Sequence, residues 1–116
     1  MEEIIISIFN VVGNSFCVEA DDGQKVFDLI KKALQEEKKA RLSFQNIEML
    51  TSAFLNTAVG QLYRDFEENK IKSSLTVEDM TPEDKALLKR VTTTAKLYYK
   101  DPERMENSIK EILGEV

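Results

Sequence analysis

The chain has 116 residues, of which 42% are hydrophobic and 32% are charged, and this composition fits one folded domain and excludes disorder as its main state. Sixteen basic and 21 acidic residues give a net charge of −5, so the overall field repels nucleic acid and anionic membranes. The sequence has no histidine and a single cysteine, Cys17, which excludes Ser-His-Asp and Cys-His catalysis, structural zinc sites and disulfides within the chain.

The amino-terminal stretch predicts a β-hairpin. Residues 4–9 and 15–18 are rich in β-branched and aromatic side chains, which favour strands. Gly13-Asn14 lies between them and is typical of a tight turn. We therefore expect two antiparallel strands at the start of the chain.

An amphipathic helix is predicted next. Asp21-Asp22-Gly23 opens it, and a charged run at residues 36–39 ends it. Its apolar residues recur at the i, i+3, i+4, i+7 and i+8 spacing of one buried helix face. They are Val26, Leu29, Ile30, Ala33 and Leu34.

A third strand and a second helix follow. Residues 40–44 alternate apolar and polar side chains, which indicates a strand, and residues 45–50 form a loop. The second helix begins at Thr51 or Ser52 and ends near Asn69. Its predicted buried face consists of Leu55, Ala58, Val59, Leu62, Tyr63 and Phe66.

The last part of the chain predicts one short strand and two helices. Residues 73–77 form the strand, and Thr81-Pro82-Glu83-Asp84 provides an N-cap, a first-position proline and two acids for a third helix. Asp101-Pro102-Glu103 repeats that signal. The fourth helix presents Met105, Ile109, Ile112, Leu113 and Val116 on one face.

The element order ββαβαβαα predicts the fold class. It contains two strand-helix-strand crossovers in a short chain, which favours a small sheet with helices packed on it. We expect a single α+β (α/β-like) domain over residues 1–116, with a mixed four-stranded sheet and four helices.

The start of the second helix is the main candidate site. Thr51 and Ser52 stand where a helix has unpaired backbone N–H groups and a partial positive charge. One of them can simply cap the helix, which is worth about 1 kcal/mol. The same place also suits a bound anion or a phosphorylated side chain. The local sequence leaves both interpretations open.

This region also carries a family resemblance. A strand, a short loop, a Ser/Thr pair and a helix resemble the STAS domain of anti-sigma-factor antagonists and sulfate transporters. Leu42-Ser43-Phe44 with Thr51-Ser52-Ala53-Phe54-Leu55-Asn56 more closely resembles a STAS-like family of unknown function. The similar element order covers roughly residues 16–99, so the resemblance implies a STAS-like fold.

The resemblance also implies a regulatory function. In antagonist-type domains the loop reads Asp-Ser-Ser/Thr-Gly, and a partner that is both kinase and anti-sigma factor phosphorylates one hydroxyl. Thr51 takes the Asp position, Ser52 and Ala53 the hydroxyl positions, and Phe54 the Gly position. The acid and the glycine are therefore missing here. The resemblance implies a docking face formed by Thr51, Ser52, Phe54 and Asn56, with a histidine-kinase-like ATPase as the kind of partner.

Other functions stay open at this point. A small enzyme or ligand-binding domain would need side chains such as Glu48, Asn56 and Tyr63 to converge in one cleft. An exposed edge strand would allow a homodimer. The glycines match no phosphate-binding or dinucleotide motif, and no spacing indicates catalytic, cofactor-binding or metal-ligating residues. We expect Cys17 to be a core residue.

The chain gives no signal for export or membrane insertion. Its start is acidic where a secretory leader would be basic, and its longest apolar run is far below the roughly 20 residues of a transmembrane helix. We therefore expect a cytoplasmic protein that binds a protein partner and neither nucleic acid nor membrane.

Overall fold

A computed structural model describes residues 2–100. The last predicted helix, with its apolar face from Met105 to Val116, lies outside these residues. In chain order the elements are β1 (Glu3–Ser7), α1 (Ile8–Val12), β2 (Phe16–Cys17), α2 (Ala20–Gln35), β3 (Lys39–Ser43), β4 (Met49–Leu50), α3 (Ser52–Leu55), a π-helical turn (Asn56–Gly60), α4 (Leu62–Asp65), α5 (Glu68–Ser74), β5 (Leu75–Glu78) and α6 (Pro82–Lys100).

The main sheet has three parallel strands in the order β1-β3-β5. Its register places Ile6, Leu42 and Val77 in one row across the sheet. Ile6 and Leu42 are buried and Val77 packs against the same core, so this row faces the helices. Side chains alternate between the two faces of a strand. The neighbouring residue Ile5 is accordingly 64% exposed on the opposite face.

The predicted amino-terminal hairpin is not formed. After β1 the chain enters α1, which Ser7 caps by accepting a hydrogen bond from the Asn10 N–H at 3.2 Å. Gly13 ends α1 in the left-handed conformation, with φ of 77°, a position that favours glycine. The glycine that predicted a turn between strands is therefore a helix C-cap. Ile8 is fully buried, which anchors this short helix in the core.

The strand count is corrected in consequence. β2 pairs with β4, not with β1, and the pair is parallel. Residues 2–100 therefore contain a three-stranded and a two-stranded sheet, both parallel, instead of one mixed four-stranded sheet. The predicted α+β class is confirmed.

The first and third predicted helices are confirmed. Four of the five predicted apolar positions of α2 are buried, and Leu29 is the exception, with 41% exposure. α6 begins at Pro82 as predicted, and the Thr81 hydroxyl accepts a hydrogen bond from the Asp84 N–H at 3.1 Å. The cap was predicted correctly for α6, whereas α2 begins at Ala20, one residue before the predicted start, and its N-cap residue Glu19 makes no side-chain hydrogen bond.

The second predicted helix is shorter than expected. Helical residues continue from Ser52 through the π-helical turn to Asp65, and then Phe66 is extended with φ of −134° and ψ of 152°. The Phe66 side chain packs against the core in this conformation. The chain then forms α5, a helix that the sequence did not predict, before the fourth predicted strand appears as β5.

None of the helices between residues 2 and 100 combines the length and apolar character needed to cross a membrane.

Cys17 lies in the core, as predicted, and is fully buried. Burial, assisted by the negative charge of Asp22, raises the pKa of its thiol from 9.0 to about 11. A buried, protonated thiol is a poor nucleophile.

This shift predicts a loss of stability at alkaline pH. The pKa is higher in the folded chain than in the unfolded chain, so its stabilising effect is complete below about pH 9 and is lost as the pH rises towards 11. Urea unfolding at a series of pH values should show the free energy of unfolding falling across this range. Cys17→Ala should make the fall shallower, and an equal slope in both proteins would contradict the assignment.

Candidate functional site

Thr51 is a structural cap of the helix at residues 52–65. Its hydroxyl accepts a hydrogen bond from the Phe54 N–H at 3.3 Å and donates one to the Val18 carbonyl oxygen at 3.1 Å. The Thr51 N–H also donates to the Cys17 carbonyl at 3.2 Å. The half-buried Thr51 therefore ties the start of the helix to the end of β2. Its hydroxyl is already engaged at this junction.

Ser52 lies on the surface, immediately after the cap. It is exposed, and Asn56, one helical turn later, is exposed too. Both residues line a shallow depression of about 290 Å³ between the helix start and α6. The other residues around it are Leu87, Arg90, Val91 and Thr94. The structure thus brings two of the four predicted site residues together on an open surface.

Phe54 lies in the interior. Its side chain is fully buried and belongs to the hydrophobic core. The Phe54 carbonyl oxygen also lies 2.6 Å from where a Cβ on Gly23 would be, which shows how closely α2 approaches this helix. Phe54 holds the helix in place and presents no side-chain surface to another molecule.

Two large apolar residues are exposed on the two-stranded sheet that precedes this helix. Phe16 and Met49 are direct neighbours in the parallel β2-β4 register. Phe16 is 48% exposed and Met49 is 51% exposed, while the alternate residue Cys17 is buried. Met49 precedes Ser52 by three residues. Large apolar side chains exposed side by side are typical of interaction surfaces.

Arg90 supplies the positive charge of this region. It is exposed on α6, lines the depression with Ser52, and forms no ion pair with any residue between 2 and 100. A planar guanidinium binds carboxylate and phosphate groups through paired hydrogen bonds. We refer to Phe16, Met49, Ser52, Asn56 and Arg90 together as the Ser52 surface.

The residues of the alternative enzyme hypothesis lie apart. Asn56 lines the depression beside Ser52, whereas Tyr63 lines a separate groove on the other side of α6. Glu48 accepts a hydrogen bond from the Ser15 hydroxyl at 2.7 Å, which connects the loop before β4 to the start of β2. Burial raises the pKa of Tyr63, whereas nearby Lys96 opposes that shift. Three side chains in three surroundings do not form one reaction centre.

Acidic and thiol groups form no cation site in the described part of the chain. Between residues 2 and 100, no group of three or more aspartate, glutamate or cysteine side chains could hold a metal ion.

The comparison with family models identifies a STAS-like domain. Residues 22–85 match the model of the family described as a STAS-like domain of unknown function (DUF4325), which is more than half of the chain. The chain belongs to this family, as the sequence resemblance predicted. Comparisons with curated proteins and with solved structures found no match. The matched residues include Met49, Ser52 and Asn56, whereas Phe16 and Arg90 lie outside them.

Proposed function

We propose that this chain is a non-catalytic regulatory module and that a protein partner binds the Ser52 surface. The observation that carries the proposal is the exposed Phe16-Met49 pair, whose Met49 precedes the exposed Ser52 by three residues. An interface needs an apolar centre that loses its water on binding and a polar rim that sets orientation. Phe16 and Met49 supply the centre, and Ser52, Asn56 and Arg90 supply the rim.

Phosphorylation of Ser52 is the proposed means of control. Ser52 is the better candidate of the two hydroxyl residues, because the Thr51 hydroxyl already caps the helix and binds the Val18 carbonyl. A phosphate would add about −1.5 to −2 charge at neutral pH. Arg90 lies in the same depression and can pair with it.

The modification would change what the surface can bind. The phosphate would engage the Arg90 cation and add a strongly hydrated group three residues after Met49. A partner that offers an apolar or acidic surface would then bind more weakly, with little change in the fold. The resemblance to anti-sigma-factor antagonists makes a histidine-kinase-like ATPase the first partner to test.

Affinity capture from native lysate with matched surface variants tests the proposal. Phe16→Ser with Met49→Ser should reduce recovery of the partner at least about tenfold, because truncating a hot-spot residue at the centre of an interface costs about 2 kcal/mol or more. Ser52→Glu should also reduce recovery, and Ser52→Ala should preserve it. Leu29→Ser is the control, since Leu29 is 41% exposed on α2, outside the Ser52 surface.

Two results would contradict the proposal. One is recovery of the same partners by wild type and by the Phe16/Met49 variant. The other is a loss of partner recovery in Leu29→Ser equal to the loss in the Phe16/Met49 variant. Such a result would mean that any exposed apolar residue contributes to recovery, not the Ser52 surface in particular.

A further inference from the structure

A second surface lies on the other side of α6. A groove of about 530 Å³ runs between α6, α5 and β5. We call it the lysine groove. Its floor is apolar and includes Val59, Ile71, Leu75 and Leu88. Ile71 is buried, and Val59 belongs to the hydrophobic core, so the floor is continuous with the interior of the domain.

Four cations surround this apolar floor. Lys85, Lys89 and Lys96 project from α6, and Lys72 projects from α5. Lys96 pairs with Glu68 at 3.2 Å. The other three have no ion-pair partner within residues 2–100. In a chain with a net charge of −5, this concentration of positive charge favours an acidic, amphipathic occupant.

We propose that residues 105–116 of this chain bind in the lysine groove. This segment has three acidic residues against one basic residue. Its apolar residues Met105, Ile109, Ile112, Leu113 and Val116 follow the spacing of one helix face. An apolar stripe with net negative charge complements an apolar floor with a lysine rim.

The length of the segment agrees with this pairing. The lysines of α6 lie between positions 85 and 96, which is about 16 Å along a helix at 1.5 Å per residue. Twelve helical residues span about 18 Å. Residues 101–104 include Pro102 and equal in length the 2–5-residue connections of antiparallel helix pairs. In the proposed pairing, a reversal there would bring residue 105 beside the end of α6 and residue 113 opposite Thr92.

The pairing would give α6 partners on both sides. Arg90 and Thr94 face the Ser52 depression, whereas Lys89 and Thr92 face the lysine groove. The carboxyl-terminal segment would bury the apolar floor of the groove and neutralise part of its rim. Because the segment is covalently attached, its effective concentration is high, and a competing protein would have to displace it. This inference is independent of partner binding at the Ser52 surface.

Engineered disulfides in the full-length chain test the proposal. Thr92→Cys with Leu113→Cys should oxidise within one chain at least about tenfold faster than Thr94→Cys with Leu113→Cys, since a disulfide requires Cα atoms within about 7 Å. The two pairs are matched, because Thr92 lines the lysine groove and Thr94 lines the opposite depression. The buried Cys17 does not compete for oxidation.

Lysine acetylation gives a second measurement without new cysteines. Ile109→Ser with Ile112→Ser in the full-length chain should raise the acetylation rate of Lys89 and leave that of the exposed Lys25 unchanged. Equal oxidation of the two cysteine pairs would overturn the proposal, as would unchanged acetylation of Lys89. Crosslinking between chains at a rate that rises with concentration would also overturn it, because the occupant would then be a second copy.

Discussion

Gly23→Ala is expected to destabilise the fold by about 1–3 kcal/mol, although alanine is the better helix former. A Cβ at this position would lie 2.6 Å from the Phe54 carbonyl oxygen, 3.0 Å from the Thr57 Cβ and 3.3 Å from the Ala58 N. Two of these atoms belong to the backbone, which cannot rotate away. The helix at residues 52–65 would have to move away from α2, and the core between them would open.

Gly60→Ala is the matched control for this substitution. The nearest atoms to a Cβ at Gly60 lie 3.6 to 3.8 Å away, which is ordinary van der Waals contact. Alanine there should leave stability unchanged or raise it by up to about 1 kcal/mol through helix propensity. Urea unfolding of both variants measures the difference. Equal free energies of unfolding would contradict the close approach of α2 to this helix.

Phe54→Ala is expected to cost about 3–5 kcal/mol, the usual range for removing a fully buried aromatic ring. Ser52→Ala, two residues earlier, should change stability by less than about 0.5 kcal/mol, because its side chain is exposed. Thermal or urea unfolding distinguishes the two residues. A small loss of unfolding free energy in Phe54→Ala would mean that its ring lies outside the core. The assignment of Phe54 to the core and of Ser52 to the binding surface would then be wrong.

This pair of variants also separates folding from binding. A loss of partner binding in Phe54→Ala would follow from damage to the helix that carries Ser52. A loss in Ser52→Glu with unchanged stability would have to arise at the surface. The Phe16 and Met49 variants should likewise lose partner binding without losing stability, since both side chains are about half exposed.

The sequence was most informative where capping residues or apolar periodicity gave a strong local signal. α6 was predicted from Thr81 and Pro82, and α2 from its apolar spacing. The hairpin prediction failed because Gly13 in the left-handed conformation serves a turn between strands and a helix C-cap equally well. A helix of five residues such as α1 is also too short to show its period.

The candidate site was predictable in part. The helix start at Thr51 and Ser52 followed from local signals, because caps act on adjacent residues. The burial of Phe54 had a usable signal as well, since it precedes the predicted core residue Ala58 by one helical turn. The sequence gives no signal that Arg90 belongs to the site, because its place in the depression with Ser52 depends on how α6 packs against the helix at residues 52–65. That contact joins distant parts of the chain.

The exposure of Phe16 and Met49 could not be predicted from the sequence either. β2 and β4 have two residues each, and their pairing exposes Phe16 and Met49 on the same side. A strand of two residues is too short for an alternation of apolar and polar residues to show which side chain faces the core. The apolar part of the Ser52 surface therefore emerges only from the tertiary structure.

Site-specific photocrosslinking tests the central claim most directly. A photoreactive residue replacing Met49 should crosslink a protein partner in native lysate, and Ser52→Glu in the same chain should reduce the yield. The same probe replacing Leu29, a comparably exposed apolar residue on α2, should give no such product. Crosslinking of the same partner equally from both positions would contradict docking on the Ser52 surface, as would capture of a partner without any crosslink from position 49.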